Sequence, residues 1–290
     1  MRKTGNRTKL TAAGVLTYVV MVLLAIFFLF PLVFMVVSSF KPEQRIFEDL
    51  QNIIPAFLPT ELSLENFSYV FNRVAFWRFF FNSTFITSAT VLLGLFFNSM
   101  LAFALARLYW PVKNVILLAV IALAIVPLET IAVPMLVLVN NLPWFDGTTS
   151  WLDTYRVQIL PFAAEAFSTF LFYQFFIGLP REIDESCYVD GVTPFKIYRY
   201  ITVPLSRPVF ATVAILQSLA IWNSYLWPLM VTRSEAVRPL PIAITALYVL
   251  NLQWGHILAF ASLITVPVLV VFVFFQGWFV RSIVTAGLKG

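Results

Sequence analysis

Six apolar runs, each about as long as a bilayer is thick, dominate the chain. They fall at about 12–38, 82–106, 112–139, 157–179, 208–232 and 258–280. A helix needs about 20 mostly apolar residues to cross the hydrocarbon core. Backbone polar groups in lipid are satisfied only inside helices or closed barrels. Runs of this length read as helices, so the expected fold class is all-α: a polytopic membrane protein with six transmembrane helices. Composition agrees. Of the 290 residues, 60% are hydrophobic and 11% charged, against roughly 25% charged in a soluble domain. The first run is longer than the 7–15-residue core of a signal peptide, so it is read as an uncleaved span, with Pro31 expected to kink it.

Charge orients the spans. With six of them, residues 1–11, the turn near 107–113, the 180–207 loop and the C-terminus share one side. Twelve of the nineteen Lys and Arg lie there with four acids, against seven bases and eight acids on the other side. The positive-inside rule therefore makes both termini and the 180–207 loop cytoplasmic. It also accounts for the pI of about 9.4 without nucleic-acid binding. The single cysteine, Cys187, rules out an intrachain disulfide and reads as a small packing residue. The single histidine, His256, leaves no His-based metal site and reads as an exposed loop residue. There is no phosphate-binding G-x-x-x-x-G-K-[ST] stretch, so ATP is not hydrolysed here by a P-loop. Residues 64–80 read as an amphipathic helix lying on the membrane surface.

Residues 180–207 are the longest polar stretch between two apolar runs. They carry Glu182, Asp184, Glu185 and Asp190 alongside Arg181, Lys196, Arg199 and Arg207. The spacing predicts a short helix at 181–190 and a reversal at Asp190-Gly191, where Gly tolerates positive φ. A second short helix is opened by Pro194 and closed by Pro204 and Pro208. Phe195, Tyr198 and Ile201 recur at i, i+3, i+6 and would form one apolar ridge. On physical grounds alone the stretch reads either as a docking knob or as a solvated loop resting on lipid headgroups.

Ionisable and polar groups at span depth are costly and mark function. Glu129, Glu165 and Asn223 lie at similar depth in three different spans, with Trp227 in the aromatic run beside Asn223. Together they are candidates for a translocation pathway, since acid and amide groups bond hydroxyls and indole faces cover C–H surfaces. The competing reading is that they bond neighbouring helices or a partner subunit. Asn98 and Gln174 read as links between helices.

The series Glu185, Asp190, Gly191, Phe195, Ile201 and Pro204 resembles the EAA loop of the inner-membrane permeases of ABC importers. Ser186 and Cys187 stand where that family has alanines; both are small, so close packing is kept. Further stretches resemble the sugar-importing, maltose-permease-like branch, in order along nearly the whole chain. They are Phe30-Pro31 followed by SSFKP, LSLENF at 62–67, Asn82-Ser83, FALAR at 103–107, WNSYLWPL at 222–229, RPLPIAI at 238–244, and the ending FVRSIVTAGLKG.

The resemblance implies a type I ABC importer permease fold in a bacterial or archaeal inner membrane. The loop would be a coupling helix seated in a cytoplasmic ATPase, with Glu185 and Asp190 facing ATPase arginines and Phe195 filling a pocket. It further implies a second homologous permease, an ATPase dimer that uses ATP and Mg, an extracytoplasmic solute-binding protein that receives the outer loop at about 233–256, and a sugar substrate. This chain would bind no cofactor and catalyse no reaction. The alternative from another class is a stand-alone gradient-driven transporter using Glu129 and Glu165 as proton carriers. It calls for inverted repeats and broken helices at the midplane, and neither is evident in the sequence.

Overall fold

Every long apolar run is helical in the computed structural model, which describes residues 12–145, 147–250 and 253–287. The 1–11 tail and the final Leu-Lys-Gly lie outside the described residues. In chain order the helices are α1 Ala12–Ser39, α2 Glu43–Glu48, α3 Ile53–Phe57, α4 Glu65–Arg73, α5 Phe76–Arg107, α6 Lys113–Ile125, α7 Leu128–Asn140, α8 Tyr155–Ala163 and α9 Ala166–Ile177. There follow α10 Arg181–Val189, α11 Pro194–Ile197, α12 Val203–Leu205, α13 Arg207–Trp222, α14 Leu226–Val231, α15 Leu240–Leu250 and α16 Trp254–Gly287. Among the described residues, four helices are long and apolar enough to cross a bilayer: Gly14–Ser39, Phe76–Arg107, Tyr155–Ile177 and Trp254–Phe274. Two bent pairs bring the total to as many as six.

The helices are bent or interrupted at several points that the sequence did not mark. α6 and α7 meet at 106° across Val126-Pro127, and the 194–205 segment meets α13 at 79°. α8 gives way to α9 at Ala164-Glu165, and α13 to α14 at Asn223–Tyr225. Proline alone does not set these breaks: Pro31, Pro134, Pro161 and Pro267 all lie inside helices.

The chain divides into two compact units. The first holds residues up to Val74 with Leu247–Leu263. Its centre is Lys41, fully buried. An ammonium there needs partners, and it finds Asp49 at 3.0 Å and the carbonyls of Pro55 and Ala56 at 2.8 and 3.1 Å. Asn66 donates to the carbonyls of Ser39 and Lys41. The Glu43 carboxylate accepts the N–H groups of Trp254 and Gly255, donors left unpaired at the start of α16. His256 is buried and stacked on Tyr69 at 3.7 Å, not exposed in a loop. The helix expected over 64–80 ends at Arg73, because Val74 is extended.

The second unit holds Ala75–Ala246 with residues from Ile264 onward. Its axis is the 32-residue α5, which packs against α8, α9 and α13. Polar side chains on α5 and α8 clasp the chain between α14 and α15. Asn82 donates to the carbonyls of Ala236 and Arg238 and accepts from the Tyr155 hydroxyl. Gln158 donates to Val237, and Ser83 accepts the N–H of Leu240. Asp153, at φ 58°, accepts the N–H groups of Arg233 and Ser234. Burial alone would raise the Asp153 carboxyl, but the two N–H donors, the Ser234 hydroxyl and the Arg233 charge together hold the group below its ordinary value.

Candidate functional site

The polar stretch folds as a two-helix knob. α10 begins after Pro180, with Glu182 and Asp184 in its first turn, where acids complement the helix dipole. It ends at Asp190-Gly191. Gly191 sits at φ 72°, in the left-handed region that a side chain makes strained. The turn closes through Gly191 N–H to Tyr188 and Val192 N–H to Cys187. Pro194 then opens α11.

The rest of the second helix departs from the expected geometry. Tyr198–Thr202 form a π turn, so the chain there carries more residues per turn. Of the expected ridge, Phe195 and Tyr198 remain ring neighbours at 6.1 Å, but the three residues differ in burial. Tyr198 turns into the core, Ile201 is half-buried, and Phe195 stays 54% exposed. Pro204 lies within α12, and Pro208 opens α13 instead of closing the knob.

The knob thus has two faces. Outward it presents Glu185, Asp190, Gly191 and Pro204, together with the apolar Phe195, Val189 and Tyr200. Inward, Ile197 and Tyr198 pack on Ala102, Phe103 and Ala106 of α5, on Phe172 and Phe176 of α9 and on Val209 and Val213 of α13, with Cys187 and Val192 at the edge. Two polar links join the knob to α5. Arg107, 3% exposed, pairs with Asp184 at 3.1 Å and donates to the Leu179 carbonyl at 2.8 Å. The hydroxyls of Ser99 and Tyr198 share a hydrogen bond of 2.7 Å. Sequence reasoning missed Arg107, taking it only as the charged end of a span. Its partner is 77 positions away, and no local spacing couples the two.

The candidates at span depth share one property: each sits at a helix break. Glu129 is exposed at the second residue of α7. Asn223 ends α13, exposed, its amide donating to the Leu219 carbonyl. Glu165 precedes α9, and its carboxylate accepts the Ser168 hydroxyl. Trp227 requires a correction. It is fully buried, its indole N–H donating to Val157 at 2.9 Å within a core of Val139, Val157 and Val231. A buried indole needs such an acceptor, and in this structure the ring is held in packing and not exposed.

Asn98 does what was expected of it as a link between helices. From α5 it donates to the Ala163 carbonyl and accepts from the Glu165 N–H and the Thr169 hydroxyl, mending the break between α8 and α9. Gln217 of α13 donates to the Phe162 carbonyl at the same break. Its amide lies so close to Gly94 that a Cβ there would collide with it.

Comparison with known proteins places this arrangement. The family described as the binding-protein-dependent transport system inner membrane component matches residues 91–285. The arabinooligosaccharides transport system permease protein AraQ of Halalkalibacterium halodurans is 34% identical over 263 residues, 90% of this chain and 91% of that one. The sn-glycerol-3-phosphate transport system permease protein UgpE of Salmonella choleraesuis is 29% identical over 289 residues, covering 96% and 98%. A chain from the crystal structure of a bacterial ABC transporter that imports the acidic polysaccharide alginate superposes with a TM-score of 0.79. It covers 96% of this chain and 100% of its own at 20% identity, a likeness of fold. The chain is a multi-pass inner-membrane protein and belongs to the family of binding-protein-dependent transport system inner membrane components.

Proposed function

We propose that this permease carries a carbohydrate inward as one of two homologous membrane subunits, and that residues 181–205 dock it to a cytoplasmic ATPase dimer. The carrying observation is the two-faced knob. Glu185, Asp190 and Phe195 point away from the chain, while the opposite face is locked to α5 by Arg107–Asp184 and Ser99–Tyr198. Exposed carboxylates at Glu185 and Asp190, set among the exposed bases Arg181, Lys196 and Arg199 and beside the exposed Phe195, suit a partner surface that offers both charges and an apolar pocket. The charge asymmetry supports a cytoplasmic position for the knob and both termini. ATP and Mg belong to the ATPase.

In this reading, ATP closes the ATPase dimer, the knob passes that motion to α5, and the pathway opens outward as the binding protein releases solute. Hydrolysis then restores the inward-facing state. Asn223 and Glu129, exposed at helix breaks, are the pathway candidates on this chain. Membership of a binding-protein-dependent family sets aside the gradient-driven alternative. Glu165, one of its proposed proton carriers, is bonded to Ser168.

The carbohydrate reading is supported by the name of the 34%-identical relative, an arabinooligosaccharide permease. The test is to purify the tagged chain in mild detergent with its partners, reconstitute it with its binding protein, and assay arabino-oligosaccharides and glycerol 3-phosphate side by side. Oligosaccharide should stimulate ATP hydrolysis and enter the vesicles. Uptake of glycerol 3-phosphate alone would overturn the carbohydrate reading.

A further inference from the structure

The knob is fastened to α5 at two points. One lies on α10, where Asp184 meets Arg107; the other lies beyond the reversal, where Tyr198 meets Ser99. On α5 the attachment residues Ser99 and Arg107 are about two turns apart, roughly 12 Å at 1.5 Å per residue. Between them Ala102, Phe103 and Ala106 complete the same face at helical spacing, and the two alanines let the knob approach closely. A body held at one point pivots about it, whereas a body held at two points on one rigid helix moves with that helix.

Arg107 does more than pair with Asp184. Its second terminal nitrogen holds the Leu179 carbonyl, so one guanidinium fixes both the chain entering the knob and the first turn of α10. Both charges are largely buried, the arginine 3% and the aspartate 15% exposed. Removing one partner of such a pair leaves the other uncompensated.

We propose that Arg107 and Asp184, with Ser99 and Tyr198 as the second anchor, are positioning residues for coupling: they fix the attitude of the knob to α5, so that motion of the docked ATPase drives the span and is not lost in rotation of the knob. This rests on the docking role given to residues 181–205 above. It concerns the face of the knob that packs on α5, α9 and α13, and it predicts a defect of transmission with docking intact.

The test uses the complete complex with its ATPase and binding protein in vesicles, and reads solute moved per ATP hydrolysed together with the ATPase retained on purification. Asp184→Asn keeps the shape and removes the charge. Tyr198→Phe removes only the second link. Each should keep the ATPase bound and lower solute per ATP, Asp184→Asn by about tenfold, within the range usual for coupling between two sites. Asp184→Glu, which retains the carboxylate, should recover most of the loss. Solute per ATP at the wild-type ratio in both Asp184→Asn and Tyr198→Phe would overturn the proposal. Loss of the ATPase from Asp184→Asn would overturn it too, because the pair would then shape the docking surface itself. Glu185→Lys, on the outer face, serves as the separate check on docking. If it keeps both the ATPase and full transport, the docking role fails, whatever the clasp variants show.

Discussion

At the scale of single residues, Gly191 is the sharpest case of a position whose identity follows from its backbone. A Cβ there would meet nothing within 4 Å, so crowding plays no part. The constraint is φ at 72°, which costs an ordinary L-residue about 1–2 kcal/mol and a β-branched one more. Gly191→Val should therefore distort the reversal between α10 and α11 while leaving the spans intact. Membrane-fraction levels should match wild type, and uptake should be largely lost. Asn, which tolerates this region, should restore uptake at position 191. Unchanged uptake in Gly191→Val would show that the shape of the reversal does not matter. The sequence exposed Gly191 because Asp-Gly is a local signal. It did not expose Arg107, whose partner Asp184 is reached only through the tertiary fold, nor the burial of Trp227, whose acceptor is a carbonyl on another helix.

At the scale of elements, the helices were legible because a long apolar run has few alternatives in lipid. The breaks were not. Pro127 lies at a break, but Pro31, Pro134, Pro161 and Pro267 sit within continuous helices. The break at Ala164-Glu165 is marked by no proline at those two positions; it persists because Asn98 and Gln217, from two other helices, bond the freed backbone. Such a break is a property of three helices together, invisible to any window of sequence. The π turn at Tyr198–Thr202 is similar: the i, i+3, i+6 reading assumed an α-helix throughout, and it did not show that Tyr198 would be buried while Phe195 stayed exposed. If side chains hold the break, Asn98→Leu should strand the Glu165 N–H and the Ala163 carbonyl in an apolar setting. The expected cost is about 1–3 kcal/mol, read as a lower midpoint of thermal unfolding in detergent. An unchanged midpoint would mean that the break is stable without its clasp.

At the scale of the whole molecule, the chain combines long apolar helices that fit a bilayer with one polar knob. The outward face of that knob carries both charges and exposed aromatics, and its inward face is packed and ion-paired. The apolar runs specify a membrane protein, and the ordered series of motifs points to a permease. What the sequence left open was which side chains of the knob face in and which face out. The most direct measurement is a photo-crosslink. A photoreactive phenylalanine analogue at position 195, in native membranes, should form an adduct with the ATPase subunit. The same analogue at Phe145, 97% exposed in the loop between α7 and α8, should not. An ATPase adduct from position 195 alone is the result this account predicts. No ATPase adduct from position 195, in membranes where the assembled complex is demonstrably present, would contradict it.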